Sequence, residues 1–260
     1  MPRREDEDDD ESLLPLPQIP DAPAYPSRQL SLLYWTLKDG DEVSEGVKRN
    51  FLWNLESSAF VPSTFWQLEE CYLRAPLADL GFRRVRAVGL LAPDADAAGN
   101  QGGETAAAAA DLCAWLDRFA DDDSVVYIKG FEERIAAAGG RCRVIHGWAP
   151  QVAVLRHRAV GWFVTHFKWN SVLEACAAGV AMLVWPMIAD QFVNARLLVD
   201  EAGAAVPVSW GGLTAAPAAD EVTRVLDAAV GGKLGHVAAR VVGAGGAGAR
   251  AALARRNFDI

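Results

Sequence analysis

The sequence lacks the features that mark several classes of protein. It has four cysteines and no C-x-x-C pair, so reduced thiols are expected and neither a disulfide framework nor a metal site is predicted. No run reaches about 18 apolar residues, and the charged N-terminus has no apolar signal core. The net charge of −9 argues against nucleic acid or an anionic membrane as a partner. We therefore expect a soluble, cytoplasmic protein. We also expect it to be a monomer.

Composition divides the chain into four predicted segments. Residues 1–28 are acidic and then proline-rich, which predicts a tail that buries little surface. Residues 29–93 contain an amphipathic helix at 42–58 and two strand-like runs. Residues 94–104 are typical of a flexible linker, and residues 105–260 alternate apolar strands with short helices.

The segment 105–260 is predicted to be an α/β domain with a mainly parallel sheet, because its strands are apolar throughout. Such strands are expected at residues 124–128, 142–148, 161–166 and 180–186. In open α/β sheets, ligands bind at the carboxyl ends of the strands, in the loops that lead into helices. The loops to consider are therefore GWAPQ (147–151), THFKWNS (165–171) and PMIADQ (186–191).

The loop THFKWNS has two interpretations. Asn170 and Ser171 lie at a predicted helix start, where backbone N–H groups and the helix dipole favour a phosphate, and His166 adds a donor. Alternatively, Ser171 and Glu174 fit an S-x-x-E capping box, which requires no ligand. The loop by itself leaves both open.

The other two loops also have structural alternatives. Trp148 could stack on a base with Gln151 behind it, or it could be a core residue. Asp190 and Gln191 suit sugar hydroxyls, although Asp190 could instead cap the following helix. An aromatic plate, an anion site and a hydroxyl binder at one sheet edge fit a sugar nucleotide better than three unrelated structural roles.

The run from Trp148 to Gln191 resembles the signature segment of plant secondary-product UDP-glycosyltransferases. The match runs without a gap through W-A-P-Q, V-L-x-H, G-x-F-x-T-H, W-N-S-x-L-E, G-V-x-M and W-P-x-x-A-D-Q. Weaker landmarks extend the resemblance to roughly residues 20–226, with residues 29–93 as a remnant of the acceptor domain. It implies a GT-B-type enzyme with a Rossmann-like donor domain. Such an enzyme transfers glucose or a similar sugar from a UDP-sugar to a flavonoid or phenolic hydroxyl with inversion, without metal or cofactor.

The resemblance also implies roles for individual residues. Trp148 would stack on uracil, Ala149 and Gln151 would contact base or ribose, and Glu174 would bind the ribose hydroxyls. The residues that would hold the diphosphate are His166, Trp169 (through its backbone), Asn170 and Ser171. The residues that would bind the sugar hydroxyls are Asp190 and Gln191.

No catalytic residue is predicted. The family's general base is a histidine of the N-terminal acceptor domain, where it takes a proton from the attacking hydroxyl. The four histidines here, at positions 146, 157, 166 and 236, all lie outside residues 29–93. We therefore expect an incomplete gene product with weak or no transferase activity. The alternative is a non-catalytic UDP-sugar-binding fragment or a pseudogene product.

Two further departures from the family are expected to weaken the donor site. Relative to the family, one βα unit and a strand are missing after Ile128, so the sheet must pair differently or contain an open slot. The turn reads H-F-K where the family has H-C-G. If Lys168 takes the left-handed conformation that glycine allows, the strain would cost roughly 1–2 kcal/mol.

Overall fold

The structure is a computed structural model. It describes residues 11–17, 19, 21, 23–31, 36–74, 85–89, 108–128, 143, 145, 148–213 and 215–237. The helices of the described part are α1 Glu42–Asn54, α2 Trp66–Arg74, α3 Ala109–Leu116, α4 Gln151–Leu155, α5 Trp169–Ala178, α6 Gln191–Arg196 and α7 Ala219–Val230. The strands are β1 Leu13–Pro15, β2 Ala24–Pro26, β3 Val125–Ile128, β4 Val160–Thr165, β5 Ala181–Val184 and β6 Ala205–Pro207.

A four-stranded parallel sheet with the order β3-β4-β5-β6 forms the centre of the fold. Phe163 of β4 pairs with Tyr127 of β3 on one side and Met182 of β5 on the other. All residues of β4 and β5 are buried, because helices cover a parallel sheet. The predicted α/β class and mainly parallel sheet are confirmed.

The strands of the sheet match the predicted strands only in part. One edge strand was not predicted, and one predicted strand lies mostly outside the described residues. β6 was not predicted, since three residues are too short for a periodic signal. Most of the strand expected at 142–148 lies outside the described residues. Of the three described positions there, 143, 145 and 148, Trp148 forms an isolated bridge. Within the described residues β3 pairs with β4 alone. The unit predicted to be missing after Ile128 also falls outside them.

The core lies around β4, β5 and the inner face of α5. Its largest fully buried side chains include Phe163, Phe167, Leu173, Met182 and Leu198. α5 ends at Gly179, which has a φ of 74° and so terminates the helix in the left-handed conformation. The short helix α6 continues as a π-helical turn over Leu197–Glu201.

Residues 60–64 and 85–89 run side by side in parallel. Phe60 bridges Val85, and the amides of Val88 and Gly89 donate to the carbonyls of Pro62 and Thr64. This pair matches the two predicted strand-like runs, and we call it the parallel ribbon. The next residue, Phe65, is part of the core that contains β4 and α5.

The N-terminal segment packs against α6 and Trp210. Strands β1 and β2 pair antiparallel, and Tyr25 and Gln29 are only 5% and 1% exposed. Arg196 donates to Gln29 Oε1 at 2.9 Å and lies over the rings of Tyr25 and Trp210. The prediction that residues 1–28 bury little surface is therefore wrong for residues 25–27. Proline-rich composition did not reveal a partner far along the chain. The domain boundaries at 28, 93 and 104 stay a prediction.

Membrane insertion through a helix has no support in the described residues. None of their helices is long and apolar enough to cross a bilayer.

Candidate functional site

The three predicted loops lie together at the carboxyl edge of the sheet. Each of them leads into a helix, namely α4, α5 or α6. Gln151 Nε2 donates to Glu174 Oε2 at 2.7 Å, which joins the first loop to α5. Asn194 Nδ2 donates to the carbonyl oxygen of Phe167 at 3.0 Å, which joins α6 to the second loop. Because residues far apart in sequence are hydrogen-bonded here, the predicted convergence of the loops is confirmed.

The turn formed by His166, Phe167 and Lys168 links β4 to α5, and we call it the H-F-K turn. Phe167 has a φ of 67°, whereas Lys168 has a φ of −58° and a ψ of 138°. The prediction that Lys168 takes the left-handed conformation is therefore wrong, because the chain reverses one residue earlier. A left-handed non-glycine residue costs roughly 1–2 kcal/mol. Complete burial of the Phe167 ring offsets this cost.

The start of α5 has no side-chain cap. Its N-cap residue is Lys168, whose side chain makes no cap hydrogen bond. Ser171 is buried as the third residue of the helix. It therefore cannot be the N-cap residue, and the capping-box alternative for Ser171 and Glu174 is wrong. The first N–H groups of a helix have no partner within it. A helix start of this kind, with His166 half-buried beside it, suits an anion.

Gln151, Ser171 and Glu174 form a small polar network between α4 and α5. Besides its bond to Glu174, Gln151 Nε2 lies 3.4 Å from Ser171 Oγ. Both partners can accept, so the amide nitrogen faces them and Oε1 points away. That buried oxygen has no hydrogen-bond partner among the described residues. A buried acceptor without a partner is costly, so it favours a ligand that brings a donor.

The pKa of Tyr127 on β3 is affected by burial and by the negative charge of this network. Burial, and secondly the negative charge of Glu174, raise the pKa of Tyr127 to about 12. Its ring stacks on Phe163 with the ring centroids 5.1 Å apart. The phenol therefore stays protonated near neutral pH, and the charge of Glu174 lies close to the end of β3.

The third loop is held by its own side chains. Gln191 is 3% exposed, and its Oε1 accepts from the amides of Met187 and Ile188 at 2.8 and 3.1 Å. These bonds leave the amide nitrogen of Gln191 as the end that could face a ligand. Asp190 is the N-cap residue of α6, but its side chain makes no cap bond and instead accepts from Asn194 Nδ2 at 3.0 Å. The alternative that Asp190 caps the helix is therefore correct about its N-cap position. It is wrong about the hydrogen bond, because the carboxylate accepts from a side chain and not from a backbone N–H of the first turn.

The remaining predicted residues border the same edge. Trp148 and Ala149 are half-buried before α4, and Asn170 is exposed in the first turn of α5. Trp169 is half-buried, and its indole Nε1 donates to the carbonyl oxygen of Ser63 at 2.7 Å. The first residue of α5 is thus hydrogen-bonded to the parallel ribbon.

Sequence reasoning missed two residues of this site. Asn194 is four positions after Asp190 on a predicted helix, so helical spacing could have identified it as a neighbour. Ser63 is 106 positions from Trp169 and contributes a backbone oxygen, for which no local pattern exists.

Metal binding has no candidate in the part of the chain that the structure describes. No group of three or more His, Cys, Asp or Glu side chains there is placed to hold an ion.

Known proteins share both the sequence and the fold of this region. A family model described as "UDP-glucoronosyl and UDP-glucosyl transferase" matches residues 128–231. Flavonol 3-O-glucosyltransferase UGT89B1 of Arabidopsis thaliana is 37% identical, with 89% of this chain and 57% of that protein aligned. UDP-glycosyltransferase 89B2 of Stevia rebaudiana is 36% identical over 76% of this chain and 51% of that protein. The chain thus spans about half the length of the curated relatives it matches.

A solved structure supports the same assignment. The crystal structure of Arabidopsis thaliana UGT89C1 complexed with UDP aligns with a TM-score of 0.66 and 28% identity, over 88% of this chain and 64% of that one. The matched family segment includes β4, β5, α5 and α6, and with them every predicted site residue. The resemblance seen in the sequence is confirmed. The chain belongs to the family of UDP-glycosyltransferases, with the α/β fold of their plant members.

Proposed function

We propose that the chain binds a UDP-sugar at the carboxyl edge of the parallel sheet. The observation that carries the proposal is the uncapped start of α5, adjacent to the Gln151–Glu174 pair and the H-F-K turn. A helix N-terminus of this kind supplies N–H donors and a favourable dipole for a diphosphate. We expect UDP-glucose to be the donor.

The nucleoside would lie between α4 and α5. Half-buried Trp148 offers a face for uracil, and the backbone of Ala149 can contact the base. Gln151 would present its unpartnered Oε1 to a ribose hydroxyl or a base N–H. Glu174, already aligned by Gln151, would accept from the ribose hydroxyls.

The diphosphate would lie at the start of α5. The residues around it are His166, Trp169, Asn170 and Ser171. As the bond between the sugar and the diphosphate breaks, negative charge increases on the leaving oxygen. Fixed N–H donors at the helix start stabilise that charge, so binding there contributes to the rate as well as to affinity.

The sugar would extend toward the third loop. Asp190 accepts hydrogen bonds from hydroxyls, and Gln191 has its amide nitrogen available for one. Both are positioned by bonds to their own loop or helix, which favours one orientation of the sugar. UGT89C1 has been crystallised with UDP-L-rhamnose as well as UDP, so the deoxysugar nucleotide belongs in any test of donor choice.

We further propose that the reaction is inverting transfer to a flavonoid or phenolic hydroxyl. The name of UGT89B1 and the complex of UGT89C1 with quercetin support this acceptor class. Attack by such a hydroxyl is assisted by a general base, and residues 29–93 contain no histidine. We therefore propose weak or absent transfer by the 260-residue chain itself. Binding without turnover is the second candidate function, and a cytoplasmic location remains a prediction.

A turnover assay tests the proposed reaction. UDP release is measured with UDP-glucose or UDP-L-rhamnose and a flavonol, with the Glu174→Ala variant as the background. We expect release close to that background. Release well above it that requires the flavonol would contradict the proposed inactivity and support the transferase itself.

A further inference from the structure

Asn194 hydrogen-bonds to two of the loops from one amide nitrogen. Nδ2 donates to the carbonyl oxygen of Phe167 and to Asp190 Oδ2, each at 3.0 Å. Both partners only accept, so the amide must turn its NH₂ group toward them. The side chain is half-buried on α6, and its backbone N–H donates to the carbonyl oxygen of Asp190 at 2.9 Å.

The first of these bonds supports a strained residue. Phe167 has a φ of 67°, and its carbonyl is the last one before the N-cap residue of α5. A left-handed non-glycine residue persists only when its surroundings hold it. The bond from Asn194, together with the buried ring, fixes the peptide that precedes Lys168. The direction in which α5 starts therefore depends on Asn194.

The second bond orients an exposed carboxylate. Asp190 follows Ala189, which has a φ of 58°. Asp190 is exposed to solvent. An exposed aspartate samples several rotamers unless a partner selects one. Asn194 selects the rotamer in which Oδ2 faces α6, which leaves Oδ1 as the oxygen for a sugar hydroxyl.

We propose that Asn194 is a positioning residue that couples the diphosphate part of the donor site to its sugar part. By holding the H-F-K turn and Asp190 from one amide, it sets the distance between the two ends of a UDP-sugar. This inference rests on the proposed binding of a UDP-sugar. The inference predicts a change in the ratio of the affinities for UDP and for a UDP-sugar, because only the UDP-sugar contacts both the diphosphate part and the sugar part of the site.

The test compares the affinities of UDP and UDP-glucose by calorimetric titration of the full chain. The variants are Asn194→Ala, Asp190→Ala and the double variant, with Asn50→Ala on the exposed surface of α1 as the matched control. We expect Asn194→Ala to weaken UDP-glucose about 5- to 10-fold and UDP about 3-fold or less, as loss of one or two hydrogen bonds implies. The double variant should bind UDP-glucose at most about 3-fold more weakly than Asp190→Ala, because only the effect through the H-F-K turn is left to lose.

The outcomes separate this inference from a structural role and from the proposed function. If Asn194→Ala weakens both ligands equally, or if the two substitutions are additive for UDP-glucose, the inference is wrong. If Asn194→Ala does not fold, Asn194→Ser is titrated with the same criterion. If the unsubstituted chain is folded and binds neither ligand, the proposed function fails, and this inference fails with it. If it binds both and the Asn194 variants leave the ratio of the two affinities unchanged, only the inference fails.

Discussion

At the scale of single residues, the H-F-K turn departs from the family pattern, and its strained left-handed residue is Phe167 instead of Lys168. Glycine at the third position of this turn in the family pattern suggested that Lys168 would be left-handed. The chain instead reverses at Phe167 and leaves Lys168 with ordinary extended angles. Burial of an aromatic ring can stabilise a backbone conformation that is strained for most residues other than glycine. The turn is thus a stable part of the core, with Phe167 completely buried.

Replacement of Phe167 by glycine tests this balance. Phe167→Gly relieves the left-handed strain but removes a fully buried ring. A cavity of that size costs about 3–5 kcal/mol, less roughly 1–2 kcal/mol of relieved strain. We therefore expect the free energy of unfolding, measured in urea, to fall by about 1–4 kcal/mol. An unchanged or higher stability would show that strain dominates at this turn.

Lys168→Gly is the companion substitution with the opposite expectation. Lys168 is exposed and has a φ of −58°, so glycine relieves no strain there. We expect a stability change within about 0.5 kcal/mol, as for other surface positions. UDP-glucose should bind slightly more weakly, because a cation near the diphosphate is lost. Tighter binding in a titration would contradict this account of the turn.

Tyr127 predicts a pH dependence of stability. Its pKa is raised to about 12 by burial and by the charge of Glu174, against an unfolded value of about 10. The stabilisation is therefore fully present below pH 10 and is lost as the pH rises toward 12. The difference corresponds to roughly 2–3 kcal/mol. In urea unfolding between about pH 9 and 11.5, the Tyr127→Phe variant should lose less stability than the unsubstituted chain. Parallel curves would exclude Tyr127 as a source of the loss.

At the scale of elements, α5 connects the proposed UDP-sugar site to the parallel ribbon. Trp169, its first residue, donates to the carbonyl oxygen of Ser63. Phe65, directly after the ribbon, belongs to the core under the sheet. Two segments that sequence composition assigns to different domains are therefore packed as neighbours. A movement of the ribbon would displace the start of α5.

The substitution Trp169→Phe tests this connection, since it keeps an aromatic ring and removes one hydrogen bond. We expect a loss of about 1 kcal/mol in stability and faster hydrogen exchange at the amides of Val88 and Gly89. The control is Trp185→Phe, because the buried Nε1 of Trp185 has no partner among the described residues. That variant should leave exchange in the ribbon unchanged. Equal effects of the two variants would mean that the bond to Ser63 contributes nothing.

At the scale of the whole molecule, Arg196 of α6 holds the N-terminal segment through contacts with Tyr25 and Gln29. Its guanidinium lies 5.8 Å from the Tyr25 ring centroid and 5.0 Å from that of Trp210. It also donates to Gln29, while Arg28 Nη1 donates to the carbonyl oxygen of Trp210 at 2.6 Å. The planar guanidinium suits this stacked arrangement in a way that an ammonium does not.

The variant Arg196→Lys keeps the positive charge and replaces the planar guanidinium group with an ammonium group. We expect a loss of about 1–2 kcal/mol from weaker cation–π contacts and the lost hydrogen bond. Hydrogen exchange at the amides of Ser27 and Leu30 should become faster. Arg74→Lys, in an exposed pair with Glu70, is the control and should change neither quantity. Unchanged exchange at Ser27 in the Arg196 variant would show that other contacts hold this segment.

Local patterns predicted the sheet and the position of its loops better than they predicted long-range packing. The apolar runs at 161–166 and 180–186 indicated β4 and β5, and the loops after them followed from the parallel topology. The left-handed residue was placed one position late, because side-chain burial decides between Phe167 and Lys168. The contacts of Arg196 with Tyr25 and of Trp169 with Ser63 join distant segments, which no periodicity encodes.

The central claim is that this chain holds a UDP-sugar site built on the uncapped start of α5 and the Gln151–Glu174 pair. Calorimetric titration of the purified chain with UDP tests it most directly, with Glu174→Ala as the comparison. The account predicts saturable binding at one site, weakened about 10-fold or more when Glu174 is replaced, because hydrogen bonds to a charged group contribute about 1.5–3 kcal/mol. A folded chain that shows no binding, or binding that is the same in Glu174→Ala, would contradict it.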